Sequence, residues 1–357
     1  AQERRTGDCR GENPTYFDSG REAGQGASLT TRERPLPDNQ GGGGSGAYAI
    51  YYAGRRGPGD SCNQARAGTS PAYHPYWWLK MAKRIAYLGP PGTFSEEAAL
   101  KYDEKAQLLP FSSIPAVAAA VDTGIAEEGV VAIENSLEGS VTDTLDLLIH
   151  ESKLLIQQEL VLPVEHYLLV KPGTEALELK VIFSHPQALA QCRRFLERCF
   201  PKAEIVAALS TAAAVEQMMS SSTPAAAIGT HRAAQLYGAQ ILARNVQDYS
   251  PNVTRFVVLA HHDHPPTGRD KTSLCFSFSE DRPGLLYDVL KEFAECNINL
   301  AKVESRPSKE SLGRYIFLVD LEGHRQDSSI RQVLKKVQAK TSLFKVFGSY
   351  PRYVEKE

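Results

Sequence analysis

The sequence lacks the features of several classes of protein. Its six cysteines are spread over 357 residues without a CxxC pair, which argues against a disulfide scaffold and a cysteine metal site. Lys and Arg total 40 against 42 Asp and Glu, so no positive excess attracts nucleic acid. Apolar runs end well before the roughly 20 residues that span a bilayer. We therefore expect no nucleic-acid or membrane partner, no metal, and reduced cytoplasmic thiols.

Residues 1–80 differ in composition from the rest of the chain. They contain 14 of the 27 glycines and 6 of the 21 prolines, but only four Leu, Ile or Val residues. Four branched aliphatic residues cannot form a core, so we predict that this segment is disordered. It has no apolar stretch typical of a signal peptide, and the first methionine is Met81. Our hypothesis is that residues 1–80 are an upstream extension or a tag.

From residue 83 onward, short β-branched runs alternate with helical stretches, which is typical of an α/β domain. The predicted elements include a strand at Arg84–Leu88 and helices at Phe94–Tyr102, Ile114–Asp122 and Gln187–Cys199. One such unit ends in a long extended segment around Pro163, and a second unit follows before residue 262. This order predicts two lobes with a ligand-binding cleft between them. The polar segment 263–271 is predicted to be a linker, and residues 272–352 have the βαββαβ order of a ferredoxin-like module.

Polar residues collect at the predicted ends of strands, where α/β folds bind ligands. Taken alone, each fits an ordinary turn or helix cap equally well. Together they predict a site that binds a polar anion with little acid–base force, because the chain has no Ser-His-Asp spacing, HExxH motif or dinucleotide fingerprint. The set includes Thr93, Glu134, Asn135, Ser184, His185, Gln191, Asp248, Asn252, Thr254 and Arg255.

Several segments resemble prephenate dehydratases in their order and spacing. They are RIAYLGPPGTFSEEAA, VVAIENSLEGSVTDTLDLL, SHPQALAQCRRFL and NVTRFVVL, followed by DRPGLLYDVL and NINLAKVESRP, which resemble the ACT domain of that family. The resemblance covers residues 84–352. It implies a two-lobed, periplasmic-binding-protein-like catalytic domain over residues 83–262 and an ACT regulatory domain over residues 272–352. Residues 1–80 match nothing in the family and do not resemble a chorismate mutase domain, so the fused bifunctional form is not expected.

The resemblance implies conversion of prephenate to phenylpyruvate, water and carbon dioxide, a step of phenylalanine biosynthesis that needs no cofactor. By the family pattern, Thr254 donates a hydrogen bond to the departing hydroxyl and Arg255 holds a substrate carboxylate. His185 is the rival proton donor, and Phe256 either shapes the cleft wall or belongs to the core. The implied catalytic residues are Thr254, Arg255, Asn135, Ser184, Gln191 and Glu134, and Phe256, Thr93 and His185 are implied to bind substrate.

The same resemblance implies feedback control by phenylalanine at the ACT domain. The sequence Gly-Leu-Leu-Tyr at 284–287 stands where the family commonly has Gly-Ala-Leu-Val. ACT sheets usually pair, which implies a homodimer or homotetramer. Two alternatives stay open: arogenate as the substrate, and a non-catalytic two-lobed binding protein. The implied effector residues are Gly284, Leu285, Leu286, Asn297, Asn299, Leu300, Glu304, Ser305, Arg306 and Pro307.

Overall fold

The computed structural model describes residues 82–309 and 313–354, so the predicted disorder of residues 1–80 lies outside the described residues. The described chain contains three β-sheets with helices packed on them. Among these residues, none of the helices combines the length and the apolar character that a membrane crossing requires.

The first sheet forms the core of lobe 1. Its helices begin where the sequence offers a cap: the side chains of Thr93 and Ser113 accept hydrogen bonds from backbone N–H groups of α1 and α2. A π-helical turn, Leu147–Glu151, continues the third helix. The elements in chain order are β1 (Arg84–Leu88), α1 (Phe94–Tyr102), β2 (Gln107–Phe111), α2 (Ile114–Asp122), β3 (Glu128–Asn135), β4 (Gly139–Ser140), α3 (Thr142–Asp146) and β5 (Leu155–Pro163).

The second sheet forms lobe 2. Its strands lie side by side in the order Gln240–Ala243, Tyr167–Val170, Ala225–Gly229, Val181–Ser184 and Glu204–Ala207. The predicted single helix 187–199 is divided at Cys192. The segments Glu204–Ala207, His231–Tyr237 and Gln240–Ala243 were not predicted, because they are short and bury at most two residues each. The elements are β6 (Tyr167–Val170), a 3₁₀ turn (Ala176–Glu178), β7 (Val181–Ser184), α4 (Pro186–Gln191), α5 (Arg193–Cys199), β8 (Glu204–Ala207), α6 (Thr211–Ser220), β9 (Ala225–Gly229), α7 (His231–Tyr237) and β10 (Gln240–Ala243).

Two antiparallel segments connect the lobes, 164–166 and 244–252. They are joined by hydrogen bonds from Val164 N to Asn252 O at 2.8 Å and from Val246 N to His166 O at 3.0 Å. The chain then returns to lobe 1 as β11 (Val253–Ala260), which lies between β3 and β5 and completes the order β2-β1-β3-β11-β5. Residues near these crossings are therefore placed between the lobes.

The lobes also touch at Gly92, in the loop before α1. Its φ of +87° lies in the left-handed region, and a Cβ there would lie 3.3 Å from Ala212 and Ala233 of lobe 2. The Thr230 hydroxyl of lobe 2 donates to the Gly92 carbonyl at 2.8 Å. Glycine at this position thus permits the close approach of the two lobes.

The third sheet forms the C-terminal domain. Its strands lie side by side in the order Leu300–Pro307, Tyr315–Glu322, Asp270–Ser277 and Leu343–Pro351. The predicted linker 263–271 overlaps it, because Asp270 and Lys271 are buried in β12. Burial of these charges is compensated: Asp270 accepts from Thr267 and Gly268, and Lys271 pairs with Glu159 at 2.8 Å. The elements are β12 (Asp270–Ser277), α8 (Leu285–Glu295), β13 (Leu300–Pro307), β14 (Tyr315–Glu322), α9 (Ser328–Lys340) and β15 (Leu343–Pro351), in the predicted βαββαβ order.

The C-terminal sheet is packed on both faces. One face lies against α8 and α9, while Leu318 and Phe347 of the other face belong to the same hydrophobic cluster as Ile156 and Val257 of lobe 1. A Cβ on Gly348 would overlap the Ile156 backbone, so β15 approaches β5 at a distance that only glycine allows. The C-terminal domain is therefore part of a shared core with lobe 1.

Candidate active site

Strands β3 and β11 place the predicted catalytic residues on two opposite faces of the first sheet. Thr254 is opposite Asn135 in the antiparallel register, and Arg255 is opposite Glu134. Since successive strand residues point to opposite faces, the Asn135–Thr254 pair and the Glu134–Arg255 pair cannot share a site. The sequence motif thus contains two constellations with different surroundings.

On the first face, a hydroxyl and three side-chain amides form a chain of hydrogen bonds that joins the lobes and ends at the Glu138 carboxylate. Asn135 Nδ2 donates to Thr254 Oγ1 at 2.9 Å and to Asn252 Oδ1 at 2.8 Å. Asn252 Nδ2 donates to Gln191 Oε1 of lobe 2 at 3.0 Å, and Gln191 Nε2 donates to Glu138 Oε1 of lobe 1 at 3.1 Å. The predicted residues Asn135, Gln191 and Thr254 therefore do come together.

The backbone fixes the orientation of every amide in this chain. Asn135 Oδ1 accepts from the N–H groups of Leu137 and Glu138 at 2.9 and 3.1 Å, so its NH₂ group must face Thr254 and Asn252. Asn252 then presents its oxygen to Asn135 and its NH₂ group to Gln191. Because each amide has one accepting and one donating end, one Asx turn after β3 sets the donor direction as far as Gln191.

The Thr254 hydroxyl is left as a hydrogen-bond donor by this arrangement. Its oxygen accepts from Asn135, and among the described residues no hydrogen bond uses its proton. The side chain is 9% exposed. A buried O–H with its acceptor side occupied can direct its proton toward a bound molecule, which is the role that the family resemblance implies for it.

His166 is a member of this site that sequence reasoning missed. Its Nε2 lies 2.9 Å from Gln191 Oε1, an acceptor, so the Nε2 carries the proton. Nδ1 is buried and has no hydrogen-bond partner in the described part of the chain. Burial lowers the pKa of His166, against an opposing effect of the Gln191 hydrogen bond, so the ring is held neutral. The one available signal was its place within the extended segment that crosses between the lobes.

Other predicted cleft residues have local structural roles. His185 is the N-cap of α4, where its Nδ1 accepts from Gln187 N at 3.3 Å, and Thr93 caps α1. The Ser184 hydroxyl, fully buried, donates to the Ile228 carbonyl at 2.8 Å. Phe256 is 1% exposed within a hydrophobic cluster that includes Leu160, so of its two predicted positions it occupies the core. A role in substrate binding stays a prediction for Thr93, Ser184 and His185.

Arg255 and Glu134 face the C-terminal domain, which corrects the expectation that Arg255 holds a substrate carboxylate. The guanidinium lies 2.7 Å from Asp320 Oδ2, 3.4 Å from Glu159 Oε2 and 3.4 Å from Glu134 Oε2. Burial alone would lower the pKa of Arg255, but Tyr350, Asp320 and Glu159 raise it. Three carboxylates of the chain itself occupy the fork that the sequence assigned to substrate.

The predicted effector residues are also divided. Gly284, Leu285 and Leu286 line a cavity of about 510 Å³ at the start of α8, together with Phe278, Arg282, Tyr287, Arg314, Tyr315 and Phe317. Within the described residues, its lining includes none of residues 304–307. Glu304 and Arg306 instead contact lobe 1, at Ser140 and Asp146, each at 2.5 Å.

The remaining predicted effector residues lie around the same edge of the third sheet. Asn297, at a φ of +54°, follows α8, and the Asn299 carbonyl accepts from Glu322 N at 2.9 Å. Leu300 begins β13, whereas Ser305 and Pro307 are exposed on that strand. The two predicted effector motifs of one chain therefore lie apart: residues 284–286 line the cavity, whereas residues 304–307 lie on β13, where Glu304 and Arg306 contact lobe 1.

The fold and the site match known families over most of the described chain. Residues 85–264 match the sequence model of prephenate dehydratase, and residues 276–339 match that of the ACT domain. The chain belongs to the prephenate dehydratase family. The predicted family, its two-lobed α/β fold and its enzyme class are confirmed.

Relatives of established name span nearly the same region. The chain is 42% identical over 281 residues to the bifunctional chorismate mutase/prephenate dehydratase of Aquifex aeolicus, covering 78% of this chain and 76% of that protein. It is 40% identical to the prephenate dehydratase of Methanocaldococcus jannaschii, covering 76% and 99%. The structure of prephenate dehydratase from Arthrobacter aurescens in complex with L-Phe aligns with a TM-score of 0.70 at 34% identity, covering 75% of this chain and 90% of that one.

Two similar proteins carry other activities in their names. Arogenate dehydratase 5 of Arabidopsis thaliana is 40% identical, covering 75% of this chain and 67% of that protein. The quorum-quenching acylase GqqA aligns with a TM-score of 0.69 at 32% identity, covering 76% and 98%. Similarity at this level thus extends to proteins that are named for more than one activity.

Proposed function

We propose that this protein removes carboxylate and hydroxide from prephenate at the site around Thr254. The observation that carries the proposal is the Thr254 hydroxyl, which accepts from Asn135 and whose proton no group in residues 82–309 and 313–354 accepts. In the reaction, the electron pair of the broken carbon–carboxylate bond enters the ring as carbon dioxide leaves. The ring hydroxyl departs, takes up a proton and becomes water.

The neutral character of the site suits this chemistry. Formation of the aromatic ring supplies the driving force, so the protein needs to orient the substrate and stabilise charge on the leaving oxygen. Thr254 donates to that oxygen, and Asn135 holds the Thr254 hydroxyl in place. The Asx turn after β3 fixes the Asn135 amide, and the hydrogen bonds among Asn252, Gln191 and His166 continue from it to lobe 2.

The test is to incubate the purified full chain with prephenate at neutral pH and follow the absorbance of phenylpyruvate. Thr254→Ala, prepared in parallel, controls for activity from contaminating host enzyme. Turnover by the wild-type chain that Thr254→Ala loses supports the proposal. Equal phenylpyruvate formation by both preparations would contradict it.

Arogenate is the second candidate substrate, favoured by the 40% identity to an arogenate dehydratase. It differs from prephenate by an ammonium group in place of the side-chain ketone. The same assay with arogenate, read as phenylalanine formation, ranks the two substrates by kcat/KM.

We further propose that L-phenylalanine binds the ACT domain in the cavity at the start of α8 and inhibits the enzyme. The cavity combines aromatic walls with Arg282 and Arg314, which suits a zwitterion with an aromatic side chain. The L-Phe complex of the Arthrobacter relative supports L-phenylalanine as the ligand. The Tyr287 side chain is exposed at the cavity, so Tyr287→Ala should weaken binding. Calorimetric titration of L-phenylalanine into the wild type and this variant tests the assignment. Equal affinity in both proteins would contradict the assigned cavity.

A homodimer or homotetramer through the ACT domains and a cytoplasmic location complete the proposal. The strand β13 pairs only with β14 among the described strands, and Val303 on it is 48% exposed. Light scattering of the wild type and Val303→Lys tests assembly at that edge, and an unchanged mass would contradict it.

The proposed cytoplasmic location agrees with the state of the cysteines. The four cysteines in the described residues are free thiols, in keeping with a reducing compartment.

A further inference from the structure

We propose that Arg255 is a positioning residue through which the ACT domain acts on Thr254. The inference rests on the proposed dehydratase function and adds a route from the effector domain to the catalytic hydroxyl. Its basis is the strand pair β3–β11, which exposes Thr254 on one face and Arg255 on the other. A displacement of the Arg255 side chain is transmitted to Thr254 through a single peptide unit.

The ACT domain holds Arg255 through Asp320 of β14. The Arg255–Asp320 distance is 2.7 Å, and the two side chains are 13% and 7% exposed. Ser273 of β12 donates to the other Asp320 oxygen at 2.5 Å and is itself bonded to the buried Tyr350 hydroxyl of β15 at 2.5 Å. Three strands of the ACT sheet thus fix the position of this one carboxylate.

Charges of both domains alternate around the same guanidinium. Lobe 1 supplies Glu134 and Glu159, and the ACT domain supplies Lys302 and Lys271, which pair with them at 3.0 and 2.8 Å. Because these groups are largely buried, solvent screens them little, and moving one changes the energy of the others. The ACT sheet cannot shift relative to β11 without rearranging the partners of Arg255.

One contact in this network is incomplete. Glu134 Oε2 is 3.4 Å from Arg255 Nε, and Nε is buried without a hydrogen bond among the described residues. A closer approach of Glu134, which is opposite Arg255 in the register, would complete that bond. The network therefore has a second arrangement available, which an effector must favour differently from the first if it is to change activity.

The experiment compares Asp320→Asn with a matched control, Asp263→Asn, in the full chain. Asp263 also forms an aspartate–arginine pair with the ACT domain, 2.7 Å from Arg325, but it lies outside β11. For each variant, kcat and KM for prephenate, inhibition by L-phenylalanine and calorimetric L-phenylalanine affinity are measured. Hydrogen exchange of the peptide 253–260 gives a readout that does not depend on turnover.

For Asp320→Asn we expect kcat to be several-fold lower than in the wild type, with KM within about two-fold, and hydrogen exchange in residues 253–260 to be faster. The L-phenylalanine concentration that gives half-inhibition should rise at least five-fold, while the affinity for L-phenylalanine stays unchanged. Asp263→Asn should match the wild type in all of these. In Asp320→Asn the amide oxygen can still accept the hydrogen bond from Ser273. The second variant, for the case that Asp320→Asn folds poorly, is Arg255→Lys, which keeps the positive charge but loses the planar fork of the guanidinium. Its expected effects have the same direction.

Several results would overturn the proposal. One is an Asp320→Asn variant whose inhibition, kcat and hydrogen exchange equal those of the wild type. Another is an Asp263→Asn variant that shows the same changes as Asp320→Asn. A wild-type chain without dehydratase turnover, combined with faster exchange in Asp320→Asn, would instead place the failure in the proposed function, since the contact between Asp320 and β11 would then be demonstrated.

Discussion

The two faces of the β3–β11 strand pair differ in how they hold their polar groups. The face with Asn135 and Thr254 carries a neutral amide and a neutral hydroxyl, and their hydrogen bonds leave the Thr254 hydroxyl oriented as a donor. The face with Glu134 and Arg255 carries charges that are neutralised by charges of another domain. Neutral groups with fixed dipoles can stabilise charge that appears during a reaction, whereas paired charges are already committed. The comparison indicates that chemistry belongs to one face and interdomain contact to the other.

The largest effect is expected on the charged face. Arg255→Met should leave the buried Asp320 carboxylate without its ion-pair partner and leave Glu134 and Glu159 with their lysine partners alone. We expect the free energy of unfolding to fall by about 3–5 kcal/mol. Urea unfolding measures the change. The control is Arg193→Met, which removes an exposed pair with Glu197 that solvent screens, so its effect on stability should be far smaller. Similar losses in both variants would show that the charged face contributes no more than a surface pair.

On the neutral face, Thr254→Ala should lower kcat by about 10²- to 10³-fold, with KM nearly unchanged, because its hydroxyl acts on charge that develops only in the transition state. Thr254→Ser, which keeps the hydroxyl, should retain most of the activity. Steady-state kinetics with prephenate measure both. Full kcat in Thr254→Ala together with its loss in His185→Ala would assign proton donation to His185 instead.

The close contact between the two domains sharpens the comparison further. Gly348→Ala should cost about 1–3 kcal/mol, because the added Cβ overlaps the Ile156 backbone and forces β15 away from lobe 1. Gly173→Ala is the matched control: its φ is +84°, but a Cβ there meets nothing within 4 Å. Thermal unfolding compares them, and a loss no greater than that of Gly173→Ala would mean that β15 adjusts freely.

The smallest expected effect is a pH dependence from His166. Its folded-state pKa is lowered by burial, so below the ordinary histidine pKa, about 6.5, the unfolded state binds a proton that the folded state does not. Stability should therefore fall between pH 7 and pH 5. His166→Gln keeps a donor for Gln191 and cannot titrate, so its stability should change less with pH. Parallel slopes for the two proteins in urea titrations across this range would contradict a buried neutral His166.

Local sequence patterns predicted much of the fold. The strand Arg84–Leu88 and the helices Phe94–Tyr102 and Ile114–Asp122 have the predicted bounds, because caps at Thr93 and Ser113 and the surrounding apolar pattern act within a few residues. Strand β8 and helix α7 were missed. Both are short, and neighbouring strands and lobe 1 hold them more than their own patterns do.

The site was predicted in part, and the reason is the geometry of a strand. The sequence identified Asn135, Gln191 and Thr254, which the structure brings into one hydrogen-bonded chain. It grouped Arg255 with Thr254 because they are adjacent, although adjacent residues of a strand face opposite sides. It also missed His166, which enters the site only because the chain crosses between lobes beside Asn252.

By itself the sequence determined the family, the order of helices and strands, and which residue types are available for chemistry, since these depend on local pattern and composition. Tertiary structure decided which face each residue occupies, that the ACT sheet shares a core with lobe 1, and that Arg255 contacts Asp320, 65 positions along the chain. Those decisions depend on strand register and domain packing between distant segments. No local pattern encodes them, because a shift of one residue in register would exchange the two faces.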